Sequence, residues 1–101
     1  MDFPLNANIP DRVLREIIMY AKNASVEKLV LFGSRARGTN RKNSDIDLAV
    51  FGGDFDQFYW DVQEKTWSLL QFDLVDMNND ITDELLNEIE RDGVIVYEKN
   101  R

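Results

Sequence analysis

Apolar residues recur at helical spacing early in the chain: Val13, Leu14, Ile17, Ile18 and Ala21 fall on one face behind Pro10 and Asp11. Proline suits a first helical turn, so the pattern predicts a helix from about Pro10 to Asn23. Val26 to Phe32 follows, with an unbroken apolar run at Leu29-Val30-Leu31-Phe32. That run predicts a short buried strand, ended by Gly33. Residues 33–44 are polar and contain Gly33 and Gly38. They predict a loop, with one helical turn after Ser34 and a positive-φ turn at Gly38. From Asp45 to Phe51 the pattern has a period of two. Ile46, Leu48 and Val50 point one way, and Asp45, Asp47 and Ala49 the other. Gly52 and Gly53 close this strand.

Asp54 is placed to cap a helix in which Phe55, Phe58, Tyr59, Val62, Thr66 and Leu69 keep a helical period to about Leu70. Phe72 to Val75 predicts a short strand, and Asn78-Asn79-Asp80 a turn. Thr82 caps a helix carrying Leu85, Leu86 and Ile89; Gly93 stops it, and Val94 to Tyr97 predicts a last strand. The order α-β-loop-β-α-β-α-β implies an α/β or α+β domain, a small mixed sheet with flanking helices. Phe58, Tyr59, Trp60 and Trp67 fit this core, some of them with the alternative of an apolar partner surface. Met1 to Asn8 is expected to be flexible.

The 101 residues fit one domain spanning residues 1–101, and 44% of them are hydrophobic, enough for a core. Composition narrows the chemistry sharply. The chain has no cysteine and no histidine. Disulfides, thiolate chemistry, histidine bases and the usual zinc ligands are therefore excluded. Catalysis must rest on carboxylates, hydroxyls, Lys, Arg or backbone groups. Nineteen acidic residues against 12 basic ones give a net charge of −7. Such a surface disfavours nucleic acid and suits a basic protein partner. No stretch approaches the roughly 18 apolar residues of a membrane span. Met1-Asp2-Phe3-Pro4 lacks the basic-then-apolar character of a signal peptide, so a cytoplasmic location is expected.

Asp45-Ile46-Asp47 places two carboxylates on one face of a strand. Alone, such a pair also fits a solvent-facing strand. Two carboxylates this close repel unless a cation lies between them, and an all-oxygen donor set favours Mg²⁺ or Mn²⁺. Asp73, at the start of the next strand, faces the same pocket if the two strands pair. Three convergent carboxylates can hold metal ions around a phosphoryl group. Asp76 would face the opposite way and reads as structural. Gly33 and Ser34 directly follow a buried strand, where a glycine lets backbone amides approach an anion and the hydroxyl adds a bond. A Walker loop is absent. Arg35, Arg37, Arg41 and Lys42 gather cations around that turn in an otherwise acidic chain.

Taken together, Gly33-Ser34, ten intervening residues and Asp45-x-Asp47 resemble the signature of the minimal nucleotidyltransferase (MNT) domains of the polymerase-β-like superfamily. Phe72-Asp73-Leu74-Val75-Asp76 is similar to that family's third-carboxylate strand, and Ile89 to Tyr97 to its closing helix and strand. The resemblance covers about residues 10–98. It implies a palm-like mixed sheet. Gly33 and Ser34 would then bind a nucleoside triphosphate, helped by Arg35 and Arg37. Asp45, Asp47 and Asp73 would ligate Mg²⁺, and Asp73 would assist deprotonation of an acceptor hydroxyl. Members of this size often act as antitoxins to an all-helical HEPN-type toxin, and some transfer AMP from ATP to a tyrosine of that partner. Two alternatives remain open: a non-catalytic module that occludes its partner, and a transferase acting on a small antibiotic-type molecule. The last would need an acceptor pocket that a homo-oligomer could complete.

Overall fold

The computed structural model describes residues 8–66 and 68–99. The chain runs α1 (Asp11–Asn23), β1 (Lys28–Phe32), α2 (Ser34–Arg37), β2 (Ile46–Phe51), α3 (Phe55–Lys65), β3 (Phe72–Asp76), α4 (Asp83–Asp92) and β4 (Val94–Glu98). The expectations for Met1 to Ala7 and for Trp67 fall outside the described residues.

The strands form one mixed sheet in the order β3-β2-β1-β4. β1 is antiparallel to both β2 and β4, whereas β2 and β3 run parallel. This arrangement brings three strand ends together. The start of β2, the start of β3 and the finish of β1 all lie at one end of the sheet. The segments 33–34, 45–47 and 73 therefore meet there, though they are far apart in sequence.

The period-two pattern of β2 sorts its side chains as expected. Ile46, Leu48 and Val50 are fully buried in the larger core with Val13, Leu14, Ile17 and Ala21 of α1 and Phe58 and Val62 of α3. Ala49 packs on the other face with Val30, Phe32 and Ile89 of α4. Each fully buried aliphatic or aromatic side chain contributes roughly 1.5–3 kcal/mol, so the sandwich of helices around the sheet is what holds the strand ends in place.

Both predicted caps form. The Asp54 carboxylate accepts from the Gln57 amide at 3.2 Å, and the Thr82 hydroxyl from the Leu85 amide at 3.2 Å. Asp76 is structural, accepting from the Asn78 amide at 3.0 Å and from the Asn79 side-chain amide at 2.7 Å. β1 begins at Lys28 rather than Val26 and β2 at Ile46 rather than Asp45, and a larger difference lies at the end of α3. α3 ends at Lys65 rather than near Leu70, because Thr66 is extended at φ −70°, ψ 126°. The Ser68 hydroxyl then accepts from the Leu70 amide at 3.0 Å, a local turn that competes with helix. Leu69, placed in the apolar period, is consequently solvent-exposed. Of the neighbouring aromatics Phe58 is core, Tyr59 half-buried and Trp60 exposed. Among the described residues no helix is long and apolar enough to cross a membrane.

Candidate active site

The site starts with a backbone constraint. β1 ends at Phe32, which pairs with Asp47 of β2. Gly33 turns the chain away at φ +74°, ψ −157°, a conformation essentially confined to glycine. A Cβ built there would run into the Asp47 carboxylate, with Cγ only 3.1 Å away. Glycine thus does two things: it permits the turn, and it lets the chain lie directly on that carboxylate. The Gly33 carbonyl accepts from the Ala36 and Arg37 amides, both at 3.1 Å. The amides of Ser34 and Arg35, at the start of the helical turn, have no carbonyl four residues behind them within it. Gly38 ends the turn in the left-handed region at φ +77°, as expected.

Asp47 and Asp73 occupy paired positions on the parallel strands β2 and β3 and share the α4 face of the sheet. Asp45 lies just before β2, exposed, as is Asp73. Burial raises the Asp47 pKa from 3.8 to about 6, and the nearby charges of Asp73, Asp45 and Glu88 add to the rise, with Arg37 opposing it. Asp73 and Asp45 are therefore each within electrostatic reach of Asp47. Among the described residues the three expected carboxylates are not already drawn into a cluster that could hold a metal ion unaided.

The donor set fits a hard divalent cation. The carboxylates of Asp45, Asp47 and Asp73 and the hydroxyl of Ser34 lie on segments that meet at this end of the sheet, and a cation would relieve the part of the Asp47 rise that comes from neighbouring charge. Asp45, Asp47 and Asp73 are the carboxylates that could hold such a cation if drawn together.

The two arginines divide. Arg35 is buried, and all three guanidinium nitrogens donate to backbone carbonyls: Ser44 at 3.0 Å, Asn8 at 2.7 Å and Lys42 at 3.1 Å. Its donors, expected at the nucleotide, are occupied by Lys42 and Ser44 of the loop and by Asn8 ahead of α1. Arg37 points to α4, donating to Asp92 at 3.2 Å with Glu88 at 3.7 Å. The Asp92 carboxyl is held below its usual range first by Arg91 and then by Arg37. Arg41 and Lys42 are exposed on the loop. Sequence reasoning missed Glu88 and Asp92. Both lie on the polar side of α4, and only the face of the sheet that α4 covers reveals that they border the site.

Comparison with known proteins agrees with this fold. Residues 15–101 match the family described as polymerase beta, nucleotidyltransferase. The protein adenylyltransferase MntA of Shewanella oneidensis is 37% identical over 79 residues, 74% of this chain. This chain spans about half the length of that relative, 53%. A crystal structure of a toxin–antitoxin with AMP-PNP superposes with a TM-score of 0.67 at 27% identity, covering 85% of this chain and 73% of that one. A mutant of the toxin–antitoxin MntA–HpeT gives 0.66 at 25% identity, with the same coverage.

Proposed function

Because the chain belongs to the polymerase-β nucleotidyltransferase family, we propose that it transfers a nucleotidyl group, AMP from ATP, to a hydroxyl of a protein partner and thereby acts as an antitoxin. The observation that carries this reading is the stacking of the Gly33 turn on Asp47, with Asp73 in register beside it. A glycine turn lying beside paired carboxylates at one end of the sheet supports phosphate binding there. The relative named as a protein adenylyltransferase supports the reaction class, and the toxin–antitoxin with AMP-PNP supports the nucleotide and the kind of partner. We take the partner to be a HEPN-type toxin and the acceptor to be one of its tyrosines.

In the reaction, Ser34 and the amides beside it hold the triphosphate. The acceptor oxygen attacks the α-phosphorus in line. The new O–P bond forms as the bond to the bridging oxygen breaks, and pyrophosphate leaves. Asp73, on the exposed outer strand, takes the acceptor proton. Asp45, Asp47 and Asp73 would hold Mg²⁺, which would supply charge neutralisation at the phosphoryl oxygens. Asp47 would be ionised for this role at neutral pH, above its value of about 6.

The test is transfer of labelled AMP from ATP and Mg²⁺ onto a co-expressed toxin, comparing the wild type with the double variant Asp45→Ala/Asp47→Ala. Label on the partner from the wild type alone is the expected result. If neither protein transfers label while the toxin stays bound and silent, the domain inhibits by occlusion and the enzymatic reading is wrong.

A further inference from the structure

Arg35 is the second residue of α2, directly after Ser34, and is 4% exposed. A buried guanidinium must place its N–H groups on acceptors. Its three nitrogens do so on three carbonyls, and none of these belongs to α2. Two lie in the loop returning to β2 (Lys42 and Ser44), and the third is Asn8, ahead of α1. Asn8 is also tied to that loop through its side-chain amide, which donates to Asn40.

The Ser44 carbonyl belongs to the same peptide unit as the Asp45 nitrogen. Turning that peptide swings Asp45. Around it, the Ser44 amide donates to the Arg41 carbonyl at 3.1 Å and the Arg41 amide to the Ser44 hydroxyl at 2.8 Å. On the far side, the Ile46 amide donates to the Gln71 carbonyl at 2.9 Å, ahead of β3. Asp45 is thus suspended between a peptide gripped by Arg35 and a peptide gripped by the sheet. The backbone of Arg35 is itself part of the Gly33-Ser34 turn.

We propose that Arg35 is a positioning residue: it locks the peptide bearing Asp45 in register with the Gly33-Ser34 turn, so that phosphate-binding and carboxylate groups form one rigid unit, and it does not touch the nucleotide. The kinetic half of this inference rests on the nucleotidyl-transfer reading; the structural half does not. Lysine cannot replace Arg35, because a single ammonium cannot span three carbonyls set around a planar fork. Loss of such a supporting residue typically lowers metal affinity or activity about 10- to 100-fold.

The experiment compares the full wild-type chain with Arg35→Lys by thermal melting, amide hydrogen exchange without metal, and steady-state transfer. A folded Arg35→Lys chain should exchange the Ser44 and Ile46 amides at least about tenfold faster, since their local opening becomes easier. Its kcat should fall about 10- to 100-fold while KM for ATP moves less than about threefold. Unchanged exchange at Ser44 and Ile46 would overturn the proposal. So would a raised KM at constant kcat, which would make Arg35 a nucleotide contact. If the wild type transfers nothing, the enzymatic reading fails while the exchange data still decide the role of Arg35. If Arg35→Lys does not fold, the wild-type Arg35 Nε–H resonance decides. Slow solvent exchange, with no large shift on adding AMP-PNP, is expected; rapid exchange would sink the idea.

Discussion

The carboxylate of Asp47 occupies the space that a side chain on Gly33 would need. Gly33→Ala therefore meets two penalties. A non-glycine residue at φ +74°, ψ −157° costs of order 1–3 kcal/mol, and the added methyl must displace the carboxylate. The expected outcome is a lower melting temperature together with loss of transfer. Calorimetry and the labelled-AMP assay check it. Full stability with full activity would mean that the turn is not as tight as it looks.

Asp47 gives a pH dependence of defined sign. Its pKa is about 6 in the fold against 3.8 as an ordinary aspartate. Between those values the folded chain holds a proton that the unfolded chain has lost. The ionised carboxylate consequently destabilises the fold at neutral pH, and the penalty fades as pH falls from about 6 toward 4. Asp47→Asn should melt above the wild type at pH 7.5 and converge with it near pH 4. Adding Mn²⁺ or Mg²⁺ at pH 7.5 should raise the melting temperature of the wild type and leave that of Asp47→Asn much less changed. Metal affinity should weaken as pH drops through 6.

Asp73 and Asp76 sit on the same strand but separate function from structure. Asp73→Asn keeps the shape and should abolish most transfer with little change in stability. Asp76→Ala loses two hydrogen bonds in the turn after β3 and should cost about 1 kcal/mol or somewhat more with kcat largely preserved. Denaturant melts run beside the transfer assay distinguish the two. The reverse pattern would remove Asp73 from the site.

Arg37 is held by Asp92 and Glu88 of α4 and also opposes the rise in the Asp47 pKa. The Arg37 end of these ion pairs is solvent-exposed, so Arg37→Ala should move the melting temperature only a little. If Arg37 turns from α4 to the triphosphate on binding, KM for ATP should rise several-fold. In that case Asp92→Asn should lower KM by releasing the guanidinium. An unchanged KM in both variants would leave Arg37 as a surface tether.

Much of this was legible in the chain because local rules decided it. The period-two pattern sorted Ile46, Leu48 and Val50 from Asp47, and side-chain oxygens capped α3 and α4 from Asp54 and Thr82. Gly33 before Ser34 marked the turn. What local rules cannot give is the partner across space. The register of Asp47 with Asp73 depends on β2 and β3 running parallel, and the approach of Glu88 and Asp92 depends on the face that α4 covers. Arg35 and Arg37 look alike in sequence, one residue apart. Only the helical turn between them, about 100° per residue, sends one into the loop and the other to α4. The end of α3 was misjudged because the apolar period continued through Leu69, whereas the Ser68 hydroxyl closed a competing turn.

β3 is the outer strand of the sheet, joined to it on one side only, and none of its residues is fully buried. The third carboxylate is thus carried by the edge strand, while the turn and the other two carboxylates lie in or beside the interior strands. Fraying would strip the site in a fixed order, acceptor activation first and nucleotide capture last. As the domain is warmed, ATP binding should outlive transfer, and whatever braces the open side of β3 would act as a throttle on turnover without touching the nucleotide.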